Sequence, residues 1–348
     1  MHVLSISALK GGVGKTTVTL GLASAAMSKG LRTLVIDLDP QCNVSNGLGA
    51  VGDFNYSAAE VIKKPRHSAV FKAIVASSWA KGQTGRLDIM VGHSRLTARN
   101  TTNPTFKSLW NLEQALSRIE KDYDLVLIDT PPSINALTRM AWVASDRVLL
   151  VTEPSINAVL AIESGMKALA EVRKQVNRQV SLFGILINRI RPSVAEHQYR
   201  INEIEELYGQ ALITTSFEEK SAIQQAQGAG RSIHSWPGQS AAKIAAKFDQ
   251  LLEEMSFSFA SEDIDRIEET RKPNQKNRHS KRTHEPTDSS NSKSRLETDR
   301  DLLAKGPRIE MVTNLSVSPE YQDKFNEVLR QTMTEKQIRA LTEPDEED

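Results

Sequence analysis

A doubly wound, mostly parallel α/β sheet is the fold class predicted for this chain of 348 residues, and three observations lead there. Short β-branched runs alternate with amphipathic helical stretches through residues 1–256. Most of those runs are apolar at every position, as strands covered on both faces are. A glycine-rich loop also joins the first run to a helical stretch, the arrangement of a phosphate-binding βα turn. Strands of this kind with helices between them imply right-handed βαβ crossovers.

Strands are expected at Val3–Ser7, Thr33–Asp37, Leu87–Val91, Leu125–Asp129, Val148–Val151, Leu182–Asn188 and Leu212–Thr214. Between the first of them and the helical pattern Val18–Met27 lies Lys10-Gly11-Gly12-Val13-Gly14-Lys15-Thr16-Thr17. Glycines let the backbone curl with its N–H groups inward, and the following helix adds the positive end of its dipole. Lys15 is placed to reach β- and γ-phosphates as a point charge, and the Thr16 hydroxyl to ligate a Mg²⁺ shared with them. The implied ligand is a nucleoside triphosphate. Leu9 stands where the usual loop spacing has its first glycine, and a second lysine, Lys10, follows it.

Ligands of such sheets bind at the carboxyl ends of the strands, and two further stretches arrive there. Val35-Ile36-Asp37-Leu38-Asp39-Pro40-Gln41 brings two carboxylates to a strand end, and Leu125–Asp129 followed by Thr130-Pro131-Pro132 brings a third. An acidic residue so placed holds a Mg²⁺ shell, often through water. Asn188 ends another expected strand on the same side, and its amide offers the donor and acceptor that suit a purine edge.

Composition narrows the class. Apolar residues make up 39% of the chain and concentrate before residue 256, enough for a sizeable core. The formal net charge of +1 hides a basic stretch near residues 271–295 and an acidic end, Asp345-Glu346-Glu347-Asp348. A single cysteine, Cys42, supplies neither an internal disulfide nor iron–sulfur cluster ligands, and is read as a sign of a reducing compartment. Nowhere do eighteen apolar residues run together, so the expected location is cytoplasmic. Residues 257–315 are polar, basic and poor in large apolar side chains, and are expected to be a disordered linker. Residues 316–348 form an expected helical tail: Ser318-Pro319 can start a helix, and Tyr321, Phe325, Val328 and Leu329 fall on one stripe. A membrane anchor in that place would be basic, whereas this tail ends acidic, so no membrane is expected.

The loop with its leading Lys10, Asp37-Leu38-Asp39-Pro40-Gln41, and Ile128-Asp129-Thr130-Pro131-Pro132 together resemble the ParA/MinD family of deviant P-loop ATPases, and within it the small chromosomal Soj-like ParA partition proteins. The resemblance covers roughly residues 1–256. It implies an ATP- and Mg²⁺-dependent ATPase that forms a homodimer around two nucleotides, with Lys10 of each copy reaching the phosphates held by the other. It further implies that Lys15 and Thr16 hold phosphate and Mg²⁺, that Asp37 and Asp129 shape the metal shell, that Asp39 positions the attacking water, and that Asn188 reads adenine. Non-specific DNA binding by the ATP dimer, release on hydrolysis stimulated by a ParB-like centromere-binding protein, and a nucleoid-associated location follow from the same likeness. Candidate DNA contacts are Arg189, Arg191, Arg200, Lys220, Arg231, Lys243 and Lys247. Where Soj-like proteins carry a Pro-Arg turn, this chain has Phe217-Glu218-Glu219-Lys220-Ser221. Two alternatives stay open: a nucleotide-gated protein that positions a non-DNA cargo and hydrolyses ATP slowly, and a MinD-like membrane switch.

Overall fold

The computed structural model describes residues 1–271 apart from 51, 53, 82–84, 100–103 and 178, with the backbone alone described over 257–271. The elements run β1 His2–Ser7, α1 Lys15–Ser28, β2 Thr33–Asp37, α2 Asn43–Gly47, α3 Ala58–Lys63, α4 His67–Ala73, β3 Ile74–Ala76, β4 Leu87–Met90, α5 Phe106–Leu109, α6 Asn111–Leu116, β5 Leu125–Asp129, α7 Ala136–Val143, β6 Arg147–Thr152, α8 Ala158–Gln175, β7 Ser181–Ile187, α9 Ala195–Tyr208, α10 Ser221–Gly228 and α11 Gln239–Arg271. The strands form a seven-stranded sheet in the order β3-β4-β2-β5-β1-β6-β7. Every pairing is parallel except the short edge strand β3, which runs against β4.

The apolar strands are covered on both faces, as their composition requires. Leu34 and Ile36 of β2 face a core shared with α3 to α9, while Val35 between them faces the core built by α1, α2, α10 and α11. After β1 the chain crosses to β2 on one side, and after β5 it crosses to β6 on the other, so the order reverses around β1. The crevice that holds ligands in such sheets lies at that reversal.

The structure differs from the sequence reading at three places. Leu212–Thr214 is no strand: Ile185 and Leu212 make one bridge, and Ile213 and Phe217 donate to Ile185 and Ile187 at 3.0 and 3.1 Å. Four residues on one side thus answer two on β7, and no regular register can be kept. The edge strand β3 went unread because α4 runs straight into it with no turn residue between them. The helix α11 runs past the expected boundary at residue 256, to Arg271. Residues 257–271 hold no Gly or Pro, so nothing in the sequence stops the helix before Pro273. The remainder of the expected linker and the tail at 316–348 lie outside the described residues.

The helix that follows the phosphate loop is fixed against α11. Ser24 of α1 meets His234 Nδ1 at 2.6 Å, and His234 Nε2 meets Asp249 of α11 at 3.2 Å. Closer to the loop, the two helices approach at Gly21, where a Cβ would lie 2.1 to 2.4 Å from atoms of the Phe248 ring. Phe248 in turn stacks on Phe217 with ring centroids 4.3 Å apart. Gly21→Ala should therefore destabilise the protein by about 1–3 kcal/mol through overpacking. Adding Phe248→Leu should return part of that loss, with both changes read by chemical denaturation.

Candidate nucleotide site

Register delivers the carboxylates. Asp37 and Asp129 end neighbouring parallel strands and are direct partners across β2 and β5, while Ile6, just before the loop, is the partner of Asp129 across β1. Both carboxyls are fully buried, and Asp39 is 6% exposed. Lys15, at the first residue of α1, donates to Asp129 Oδ1 at 2.8 Å and stands 3.8 Å from Asp39 Oδ2. The Thr16 hydroxyl donates to Asp129 Oδ2 at 3.2 Å, and Thr19, one turn further along the same helix face, donates to Oδ1 at 3.0 Å. Asp37 accepts from the Ser45 amide and hydroxyl at 2.9 and 2.7 Å and from the Asp39 amide at 3.1 Å.

Three carboxylates thus share one buried cation. Burial, reinforced by the neighbouring Asp129 charge, pushes Asp37 up to about 7. Burial raises Asp129 as well, with Lys15 opposing the shift. That surplus of negative charge suits a divalent cation. Among the described residues, however, no group of three or more His, Cys, Asp or Glu is arranged to hold a metal unaided. Mg²⁺, which keeps several waters and leans on phosphate oxygens, fits such a partial shell.

The loop itself is shaped from outside. Gly14 has φ 88° and, with a Cβ, would place that atom 2.2 Å from Asn188 Nδ2. The same Nδ2 donates to the Val13 carbonyl at 2.8 Å, so Asn188, expected to face a purine, turns its amide to the loop. Lys10, Gly11 and Gly12 are exposed, and the Lys10 ammonium lies 2.6 Å from Glu153 at the end of β6. Thr17 accepts from Gln227 at 3.3 Å.

The candidate DNA contacts are not gathered into a free basic surface. Arg189 and Arg191 share Glu219; Arg200 is held by Glu196 and Glu203 at 2.7 and 2.9 Å; Lys220 pairs with Glu218 at 2.8 Å. Arg231 and Lys247 donate to the Ser235 and Ser216 carbonyls, and Lys243 is exposed on α11. From residue 189 to 254, seven Lys and Arg face nine Asp and Glu, so this half carries no net positive charge. The sequence assigned no role to Thr19, Ser45 or Glu153 and marked Glu219 only as a departure from the Soj-like turn; of these, Thr19, four residues after Lys15, had a periodic signal.

A family model described as an AAA domain matches residues 1–182, and its span includes the loop and all three strand-end carboxylates. The chain belongs to the ParA/MinD family of P-loop ATPases. Among its relatives, the sporulation initiation inhibitor protein Soj of Bacillus subtilis is 26% identical over 66% of this chain and 89% of its own. The chromosome partitioning protein ParA of Caulobacter vibrioides is 30% identical over 54% of this chain and 69% of its own. The family fold recurs in solved structures. Apo McdA of Cyanothece superposes with a TM-score of 0.64 at 20% identity, covering 73% of this chain and 99% of that one. A putative plasmid partition protein of Borrelia burgdorferi bound to AMPPNP gives 0.60 at 18%, covering 74% and 99%.

A pH prediction follows from Asp37. A carboxyl raised in the fold binds more protons there than in the unfolded chain, so its contribution is present below about pH 4 and lost as pH rises through about 7. Nucleotide-free protein should lose thermal stability from pH 5 to 8, and Asp37→Asn should flatten that decline. Equal slopes in the two proteins would show that Asp37 is ionised throughout.

Proposed function

We propose that this protein is a ParA-type partition ATPase, in which ATP and Mg²⁺ bind at the loop and drive dimerisation, and in which hydrolysis resets the dimer. The observation that carries this reading is the single buried Lys15 tied to Asp129 and Asp39 beneath the loop. A triphosphate would draw that ammonium onto its own oxygens, leaving carboxylates to hold metal-bound water. Phosphoryl transfer asks the protein mainly for this positioning and for positive charge near the γ-phosphate.

In this account Thr16, Asp37 and Asp129 hold the Mg²⁺ shell and Asp39 orients the attacking water. Lys10, exposed beside the loop, serves a second copy of the chain. Its present partner Glu153 is a partly exposed acid, and exposed ion pairs of that kind contribute only about 0–1 kcal/mol, so releasing Lys10 costs little. Supply of a cation in trans would make turnover depend on dimerisation. The dimer then holds bulk DNA until a ParB-like partner stimulates hydrolysis. Positioning of a non-DNA cargo is the second reading, favoured by the acidic partners of Arg189, Arg191, Arg200 and Lys220.

Retention of full-length protein on random duplex DNA, with and without ATP, separates the two readings. Partition predicts ATP-dependent retention near about 50 mM salt that weakens steeply as salt rises; its absence leaves the non-DNA reading. Lys10→Ala should keep nucleotide binding and lose turnover. Asp39→Ala should give a long-lived ATP dimer by light scattering, and rapid hydrolysis in that variant would remove Asp39 from the mechanism.

A further inference from the structure

We propose that Arg189 is a positioning residue of the phosphate loop, clamped by Glu219, and that it orients the loop amides toward phosphate instead of contacting DNA. This rests on the nucleotide reading of the site and goes beyond it by assigning a residue outside the loop.

A trans peptide unit is planar, so the carbonyl of one residue and the N–H of the next point opposite ways. A loop that aims its amides inward must therefore hold its carbonyls outward, where they need donors. Three consecutive carbonyls here have them. Gly12 O receives Arg189 Nη1, Val13 O receives Asn188 Nδ2 at 2.8 Å, and Gly14 O receives the Val18 amide at 3.0 Å. The amides of Val13, Gly14 and Lys15 are set by those three contacts. Two of the three come from the Asn188-Arg189 pair at the end of β7.

Arg189 reaches the loop through an uncommon backbone state. Its φ is 57°, and among the described residues the other non-glycine with positive φ is Cys42, just after Asp39-Pro40-Gln41. Left-handed non-glycine residues are sparsely populated and cluster where function over-determines them. The turn at Arg189 directs its guanidinium back over Gly12. Glu219 then fixes it: Oε1 accepts Arg189 Nη2 at 2.8 Å and Oε2 accepts Arg191 Nε. Those hydrogen bonds, from Arg191 first and Arg189 second, hold the Glu219 carboxyl down to about 2. Glu219 is anchored in turn, since its amide donates to the Ile190 carbonyl at 2.9 Å while the Ile190 amide donates to Phe217 at 3.0 Å. A guanidinium can serve the carbonyl and the carboxylate at once through its planar fork; an ammonium is a single point.

The test titrates Mg²⁺–ATP, Mg²⁺–ADP and inorganic pyrophosphate into full-length wild type, Arg189→Ala, Arg189→Lys and Glu219→Gln by calorimetry. Arg189→Ala should weaken all three ligands by the same factor, about tenfold. Its nucleotide-free thermal midpoint should stay within a few degrees of wild type. Arg189→Lys should recover only part of that loss, and Glu219→Gln should lose less than Arg189→Ala in the same proportion across ligands. Wild-type affinity in Arg189→Ala, or a loss confined to the ligands that carry adenosine, would overturn the assignment. Should Arg189→Ala not fold, Arg189→Lys and Glu219→Gln decide by the same ratio. If wild type itself takes up none of the three ligands, the nucleotide reading fails first and this assignment with it.

Discussion

One ammonium set against three buried carboxylates is the constraint on which the structure turns. Lys15 is 6% exposed and lies within 4 Å of two of them. Isolated charges in such surroundings are costly, and pairs persist only with further hydrogen bonds. Those bonds are present: Thr16 and Thr19 on Asp129, Ser45 and the Asp39 amide on Asp37. Three carboxylates against one ammonium nonetheless leave the cluster two unit charges short of balance, and burial, reinforced by the neighbouring Asp129 charge, pushes Asp37 toward neutrality. In the proposed reading magnesium would offset that negative charge, and the polyphosphate would take over Lys15.

The sheet exists to make that arrangement possible. Parallel pairing puts the ends of β1, β2 and β5 side by side, so residues separated by about ninety positions, such as Asp37 and Asp129, become direct neighbours. The core that α1 shares with α2, α10 and α11 fixes that helix and hence the position of Lys15 at its first turn. Contacts from β7 reach the loop from the opposite side through Asn188 and Arg189. The loop is therefore braced from β7 and loaded from β2 and β5.

Much of this was legible in the residues alone. Fully apolar strands announced a sheet buried on both faces, and the loop, Asp37, Asp39 and Asp129 are found converging as their strand-end positions implied. What stayed hidden has a physical reason in each case. Glu153 and Glu219 act through partners far away in sequence, Lys10 and Arg189, and no local pattern marks such pairs. Leu212–Thr214 reads as a strand by composition, yet its backbone partners on β7 are spaced unevenly. The shared partner of Arg189 and Arg191, Glu219, lies some thirty residues further along the chain and was out of sight in the same way.

In the proposed reading the buried carboxylates and Lys15 form a seat for a metal-bound triphosphate. Isothermal titration of ATP into full-length protein, with magnesium and then with magnesium chelated, tests it most directly. Saturable uptake of one nucleotide per chain that weakens strongly without the metal is the predicted result. Absence of any binding heat from folded protein in both conditions, or binding indifferent to magnesium, would contradict it.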